Sequence, residues 1–90
     1  MHCVYVLVSE SDEPECYVGV TSGLRRRFEQ HNSGKNTSTR GRNWRLAYYE
    51  AYRSRRAAEK RERLLKHNGR SGQLLMRRVL ESLKEEDVQF

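Results

Sequence analysis

Residues 3–8 read Cys-Val-Tyr-Val-Leu-Val, and this run constrains the fold more than any other stretch of the chain. On an extended backbone Val4, Val6 and Val8 project one way and Tyr5 and Leu7 the other, so both faces are apolar. That pattern suits a strand covered on both sides. Residues 9–15, SESDEPE, hold the only proline and turn the chain. Residues 16–21, CYVGVT, make a second strand, and the short connection predicts an antiparallel hairpin. A tip centred near Ser11 puts Tyr5 directly across from Tyr17, with both rings on one face. Gly19 falls on that face too, where a missing side chain leaves space for a ligand or another backbone.

The remaining elements follow from spacing and punctuation. Thr21 or Ser22 can cap a helix in which Leu24, Phe28 and His31 recur, and Ser33-Gly34 stops it after Asn32. Residues 33–43, SGKNTSTRGRN, read as a polar, basic loop. Residues 44–52 alternate Trp44, Leu46 and Tyr48 against Arg45, Ala47 and Tyr49, a third strand less fully buried than the first. Ser54 caps a helix to about His67, with Ala57, Ala58, Leu64 and Leu65 as its apolar stripe and Asn68-Gly69 as its end. Ser71 caps a third helix carrying Leu74, Leu75, Val79, Leu80 and Leu83. The order ββαβαα predicts a small α/β (α+β) domain around an antiparallel sheet, spanning residues 1–83, with residues 84–90 as a frayed tail.

Charge narrows the choice of partner. The chain of 90 residues has 18 Lys and Arg against 12 Asp and Glu, a formal net charge of +6. Nearly all the basic residues fall between Arg25 and Arg78, while acidic ones gather in Glu10–Glu15 and Glu81–Asp87. Such asymmetry points to a polyanion, with nucleic acid ahead of a membrane surface. No apolar run is long enough to span a bilayer, and no signal peptide is read at the N-terminus, so the cytoplasm is the expected compartment. Cys3 and Cys16 form no CxxC pair and have no His cluster beside them. They read as two buried free thiols, and zinc is not expected.

Several side chains are suited to phosphate chemistry. Glu62 borders the packed face of its helix among Arg55, Arg56, Lys60, Arg63 and Lys66. It reads either as an ion-paired surface residue or as a hard oxygen ligand for a divalent metal. Glu59 looks like an ordinary exposed residue. Arg61 falls near the middle of the apolar stripe, where its stem can pack while its head reaches out. Arg27 and His31 sit one turn apart; a guanidinium can grip a phosphate and a neutral imidazole can accept a proton. Tyr5 and Tyr17 are packing aromatics unless neighbouring cations or a metal lower the phenol pKa. Lys35, Arg40 and Arg42, with Asn36, Thr37, Ser38 and Thr39, form a loop fit for phosphate and sugar contacts, without interleaved aromatics for stacking bases.

Together these residues resemble the GIY-YIG endonuclease superfamily, in particular its small stand-alone bacterial members of the URI or UPF0213 type. Cys3-Val4-Tyr5 and Tyr17-Val18-Gly19 match the two signatures. Leu24, Arg27 and His31 match L-x-x-R-x-x-x-H, followed by Asn32-Ser33-Gly34-Lys35, the basic loop Thr39-Arg40-Gly41 and the third strand Leu46-Ala47-Tyr48-Tyr49-Glu50. Ala58, Glu62, Leu65 and Lys66 match A-x-x-x-E-x-x-L-K. The likeness covers about residues 3–80. Cys3 stands where the signature has glycine, and Asn68 lies too near Glu62 to be equated with the family's supporting asparagine.

The resemblance implies a three-stranded antiparallel sheet flanked by helices. It implies hydrolysis of a nucleic-acid phosphodiester, DNA before RNA, with one divalent cation, Mg²⁺ or Mn²⁺. By that likeness Glu62 holds the metal, Tyr5 activates or orients water with His31 or Lys66 as proton partner, Tyr17 orients the phosphate or the water, and Arg27 offsets developing charge. Gly19, Lys35, Thr39, Arg40, Arg42 and Lys66 are the expected nucleic-acid contacts. With no added DNA-binding domain, specificity is expected to be low, structure-selective or supplied by a protein partner. Two other readings compete: a non-catalytic nucleic-acid-binding module on the same fold, and a protein-interaction domain using the aromatic third strand.

Overall fold

Strand β1, His2–Ser9, lies between β2, Cys16–Thr21, and β3, Trp44–Tyr52, in a sheet of order β2-β1-β3 with both pairings antiparallel. The computed structural model describes residues 1–34, 41–66 and 70–86. Helix α1, Leu24–Asn32, connects β2 to β3, and α2, Arg55–Lys66, and α3, Arg70–Glu86, follow β3. The order ββαβαα and the three-stranded antiparallel sheet are as the sequence predicts. Helix α3 continues through Glu86, past the residue at which the sequence marked the tail. It starts at Arg70, so Ser71 lies inside its first turn and is not its cap.

The doubly apolar run of β1 feeds two cores. Val4, Val6 and Val8 join Val18, Ala58 and Leu65 of α2 and Val79 of α3 on one face. Tyr5 and Leu7 join Trp44 on the other, packed by Tyr17, Leu24 and Phe28. Val4, Val6 and Leu7 have no exposed surface. Burying such side chains contributes roughly 1.5–3 kcal/mol each, which explains why a small chain spends its most apolar segment on the central strand. Cover is narrower on the helices than their apolar residues imply. Ala58 and Leu65 are buried on α2, whereas Ala57 and Leu64 are exposed. On α3, Leu74 and Leu80 are exposed and Val79 is buried.

The hairpin register differs from the expected one by two residues. Tyr5 faces Gly19, and Leu7 faces Tyr17. Closure is set by Ser9, whose backbone N–H donates to the Glu15 carbonyl at 2.9 Å and whose Oγ accepts the Glu15 N–H at 2.8 Å. That pairing centres the tip on Asp12. An even shift leaves every side chain on its own face, so Tyr5 and Tyr17 remain neighbours with ring centroids 6.2 Å apart. The cysteines are less buried than expected: both are free, Cys3 is half-buried and Cys16, at the start of edge strand β2, is exposed.

Strand β3 holds a bulge that the alternation conceals. Val6 pairs with Tyr48 but Leu7 pairs with Leu46, leaving Ala47 as the extra residue. Trp44 and Leu46 thus share the α1 face of the sheet, while Tyr48, Glu50 and Tyr52 turn to the α2–α3 face. The single-face set Trp44, Leu46 and Tyr48 is corrected accordingly. The same turn places Glu50 beneath Arg61. The Arg61 guanidinium donates to both Glu50 oxygens, at 2.9 Å and 3.0 Å, and Tyr48 and Tyr52 donate their hydroxyls to the same carboxylate. Arg61 therefore sits on the packed stripe because its partner does.

Burial alone would raise the Glu50 pKa, but the bonds from Arg61, Tyr48 and Tyr52 outweigh it and hold the carboxyl below the ordinary range. The unfolded chain binds this proton more readily than the folded one. The stabilisation is therefore present above the ordinary carboxylate pKa and is lost as pH falls through the folded value. With side-chain exposures of 29% and 16% for Arg61 and Glu50, the pair falls short of full burial. Arg61→Ala is expected to cost about 1–3 kcal/mol by urea unfolding at pH 7. The cost shrinks in acid, where Glu50 is protonated and needs no cation.

Candidate active site

Gly19 shapes the site by absence. A Cβ built there would lie 2.5 Å from Tyr5 Oη. The space left by the missing side chain is taken by the Tyr5 phenol, which lies across the neighbouring strand. The phenol ends at His31, its Oη 2.8 Å from Nε2 in a buried hydrogen bond. His31 is 1% exposed near the end of α1. Tyr17 completes the group, its ring centroid 4.8 Å from that of His31. Asn32 anchors α1 beside this group: its side-chain amide donates to the Trp44 carbonyl at 3.1 Å and its Oδ1 accepts the Trp44 N–H at 2.7 Å.

The electrostatics of the pair are set by burial. Desolvation, then Tyr17, pushes the Tyr5 pKa well above the ordinary phenol value; Glu62 adds to this and Arg27 opposes it. Desolvation, then the Arg27 cation, pulls the His31 pKa below the ordinary imidazole value. Both shifts favour the neutral forms. Of the cations that could lower the Tyr5 pKa, Arg27 acts in that direction, and burial is stronger. As the Nδ1–H tautomer, neutral His31 accepts the Tyr5 proton.

A cleft of about 430 Å³ opens between α1 and α2 at the far end of β2, where Val20 and Thr21 line it; Tyr5, Tyr17 and His31 do not line it, and Arg27, one helical turn before His31, connects it to them. Arg26 and Arg27 line it from α1, and Arg55, Glu59, Glu62 and Arg63 from α2. Helical spacing explains the α2 set, since residues 55, 59 and 62 fall on one stripe. Gly23 begins α1 without a side-chain cap; Thr21 Oγ1 accepts the Gly23 N–H at 3.0 Å, the nearest the sequence-predicted cap comes to its role. Ser54 does cap α2, its Oγ accepting the Ala57 N–H at 3.3 Å.

The structure thus brings together Tyr5, Tyr17 and His31 as one packed group, with Arg27 and Glu62 on the adjoining cleft and both acting on the Tyr5 phenol. Lys66 reaches Glu62 at 3.5 Å. Arg42 is elsewhere: it pairs at 2.9 Å with Glu15, just before the start of β2, whereas the cleft lies at that strand's far end. Lys35, Thr39, Arg40 and Asn68 lie outside the described residues. Sequence reasoning did not single out Arg26, Arg55 or Arg63 as cleft residues. For Arg55 and Arg63 the signal was helical phase relative to Glu62, hidden by the density of cations around it; Arg26, on α1, had only its place beside Arg27.

Among the described residues, no group of three or more His, Cys, Asp and Glu is placed to hold a metal ion. Two carboxylates line this cationic cleft: Glu59, paired with Arg55 at 2.7 Å, and Glu62, with 22% of its side chain exposed. Zinc does not suit such a donor set. It does fit a hard divalent cation that keeps most of its waters and takes phosphate oxygens from a substrate.

Residues 1–75 match the GIY-YIG catalytic domain family. A UPF0213 protein of Clostridium perfringens is 33% identical over 87 residues, covering 94% of this chain and 92% of that protein. A UPF0213 protein of Streptococcus agalactiae serotype V is 36% identical over 72 residues, covering 78% of this chain and 82% of its own length. The solution NMR structure of a UPF0213 protein from Bacillus halodurans is 33% identical, covers 82% of this chain and 81% of that one, and has a TM-score of 0.45.

Proposed function

This chain belongs to the GIY-YIG family, whose catalytic domain points to nuclease activity in general, and on that premise we propose that it is a metal-dependent endonuclease acting on DNA with low sequence specificity or with structure selectivity. The observation that carries the reading is the buried Tyr5–His31 hydrogen bond beside a cleft that Arg27 and Glu62 share.

Phosphodiester hydrolysis needs a deprotonated water, a counter-charge for the phosphorane and relief of charge on the leaving oxygen. A phenol with a raised pKa is not a standing base at neutral pH. It acts instead as a relay: the attacking water gives its proton to Tyr5 Oη while Tyr5 passes its own to His31 Nε2. The lowered His31 pKa keeps that acceptor free of a proton near pH 7. Arg27 offsets charge on the phosphorane oxygens, and Tyr17, packed on His31, orients the phosphate or the water. Glu62 would hold the divalent cation, which supplies Lewis-acid stabilisation of the leaving oxygen. Lys66, bonded to Glu62, steadies that carboxylate and adds to the attraction for phosphate.

Branched, nicked and linear DNA, incubated with Mg²⁺ or Mn²⁺, tests the reading. Metal-dependent turnover supports it. Binding without turnover on any substrate favours the binding-module alternative.

The relay has a pH signature. Activity requires neutral His31, so the acid limb of kcat/KM should fall with a midpoint below the ordinary imidazole value of about 6.5. An NMR titration of the His31 ring should give the same midpoint in the absence of substrate. Arg27→Ala should move it upward, because one of the two causes of the lowered value is removed. The same shift makes the fold acid-sensitive: the unfolded chain protonates His31 first, so stability falls as pH drops below about 6.5.

A further inference from the structure

The cations of α2 divide into two sets. Arg55, Arg61 and Lys66 each have a carboxylate partner, in Glu59, Glu50 and Glu62. Among the described residues, Arg56, Lys60 and Arg63 have none. These three are exposed and stand at i, i+4 and i+7, one stripe of the helix. The stripe lies beside the one that faces the cleft and away from buried Ala58 and Leu65. Arg63 belongs to both, lining the cleft with Glu62 and an outer groove with Arg56, Lys60 and Leu64.

We propose that the Arg56–Lys60–Arg63 stripe is the track on which the nucleic-acid strand flanking the scissile phosphate lies. Seven residues of helix advance about 10 Å, and one strand of duplex DNA presents a phosphate about every 3.4 Å along the axis. The stripe therefore spans about three phosphates beyond the cleft. Unpaired cations are available to phosphates without first breaking an ion pair. Among the described residues the groove holds no carboxylate and no aromatic side chain, a lining that suits backbone and not stacked bases. That character agrees with cleavage of low sequence specificity. The proposal rests on the nuclease reading only in taking the cleft to hold the scissile phosphate.

Fluorescence anisotropy with a labelled DNA duplex, measured from low to moderate salt, tests it. Glu62→Gln protein serves as the background, so that cleavage does not intrude. Adding Arg56→Ala and Lys60→Ala should weaken binding about tenfold at low salt and flatten the log–log salt slope by about 1.8, the value for two lost phosphate contacts. In the otherwise native chain the same pair should raise KM and leave kcat unchanged. Arg77→Ala with Arg78→Ala, exposed cations of α3, is the control for net charge alone. An equal loss in the control, or an unchanged slope in the test pair, overturns the track while leaving the nuclease reading intact. A chain that binds with the expected slope change but never cleaves upholds the track and overturns the nuclease reading. Failure of the native chain to bind DNA at low salt overturns both. Binding to anionic phospholipid vesicles but not DNA, abolished by the same pair, reassigns the stripe to a membrane and overturns the proposal.

Discussion

Glu62→Gln is expected to lower metal-dependent cleavage by about a thousandfold or more while leaving the fold intact. The substitution keeps the shape of the side chain and removes the charge that would hold a divalent cation. Loss of several kcal/mol of Lewis-acid stabilisation corresponds to three or more powers of ten in rate. Little stability is at risk, because among the described residues Glu62 is ion-paired only with Lys66, at 3.5 Å and on a side chain half exposed. Binding should hold or tighten, since the variant takes a negative charge out of a cleft lined by Arg26, Arg27, Arg55 and Arg63. This pairing of lost turnover with kept affinity is what a merely structural carboxylate could not produce. Cleavage that survives at the native rate would remove Glu62 from the mechanism.

Gly19→Ala should be nearly as severe for a different reason. The new methyl would stand 2.5 Å from Tyr5 Oη and 2.6 Å from the ring carbon that bears it. The phenol must move, and Leu7 and Trp44, packed with Tyr5, resist that movement. The expected cost is about 1–3 kcal/mol of stability, as for other overpacked cores. Cleavage should fall at least about a hundredfold, the effect of displacing a catalytic group by about 1 Å. Tyr5→Phe, which removes the hydroxyl without adding bulk, should lose about as much activity with a smaller loss of stability. The two activity losses should not add in the double variant, because both act on one hydroxyl. Additive losses would mean that Gly19 serves something besides the position of Tyr5.

Periodicity carried most of the fold. Val4 through Val8 announced a strand with two apolar faces, and Leu24, Phe28 and His31 announced the helix that covers one of them. What escaped depended on contacts between elements. The six residues between the strands allow more than one closure, so the register waited on the bonds between Ser9 and Glu15. Trp44 through Tyr49 alternate on paper, and nothing in residue type marks Ala47 as the bulge. Arg61 looked misplaced on an apolar stripe because Glu50, eleven residues away, is what receives it. In the site, the family signature named Tyr5, Tyr17, Arg27, His31 and Glu62, and helical spacing paired Arg27 with His31. The hydrogen bond between Tyr5 and His31, and the direction in which burial drives their pKa values, needed the packed structure.

The bulge at Ala47 gives β3 two phases. Before it, the strand keeps time with the helix that carries His31; after it, with the helix that carries Glu62. Inserting or deleting one residue on either side of Ala47 would therefore act like a slipped gear tooth. One half of the strand would stay engaged while every side chain of the other half turned to the wrong helix. Length, more than residue identity, is the quantity this strand must conserve, and the two helices that meet at the cleft are held in relation through a count of residues in β3.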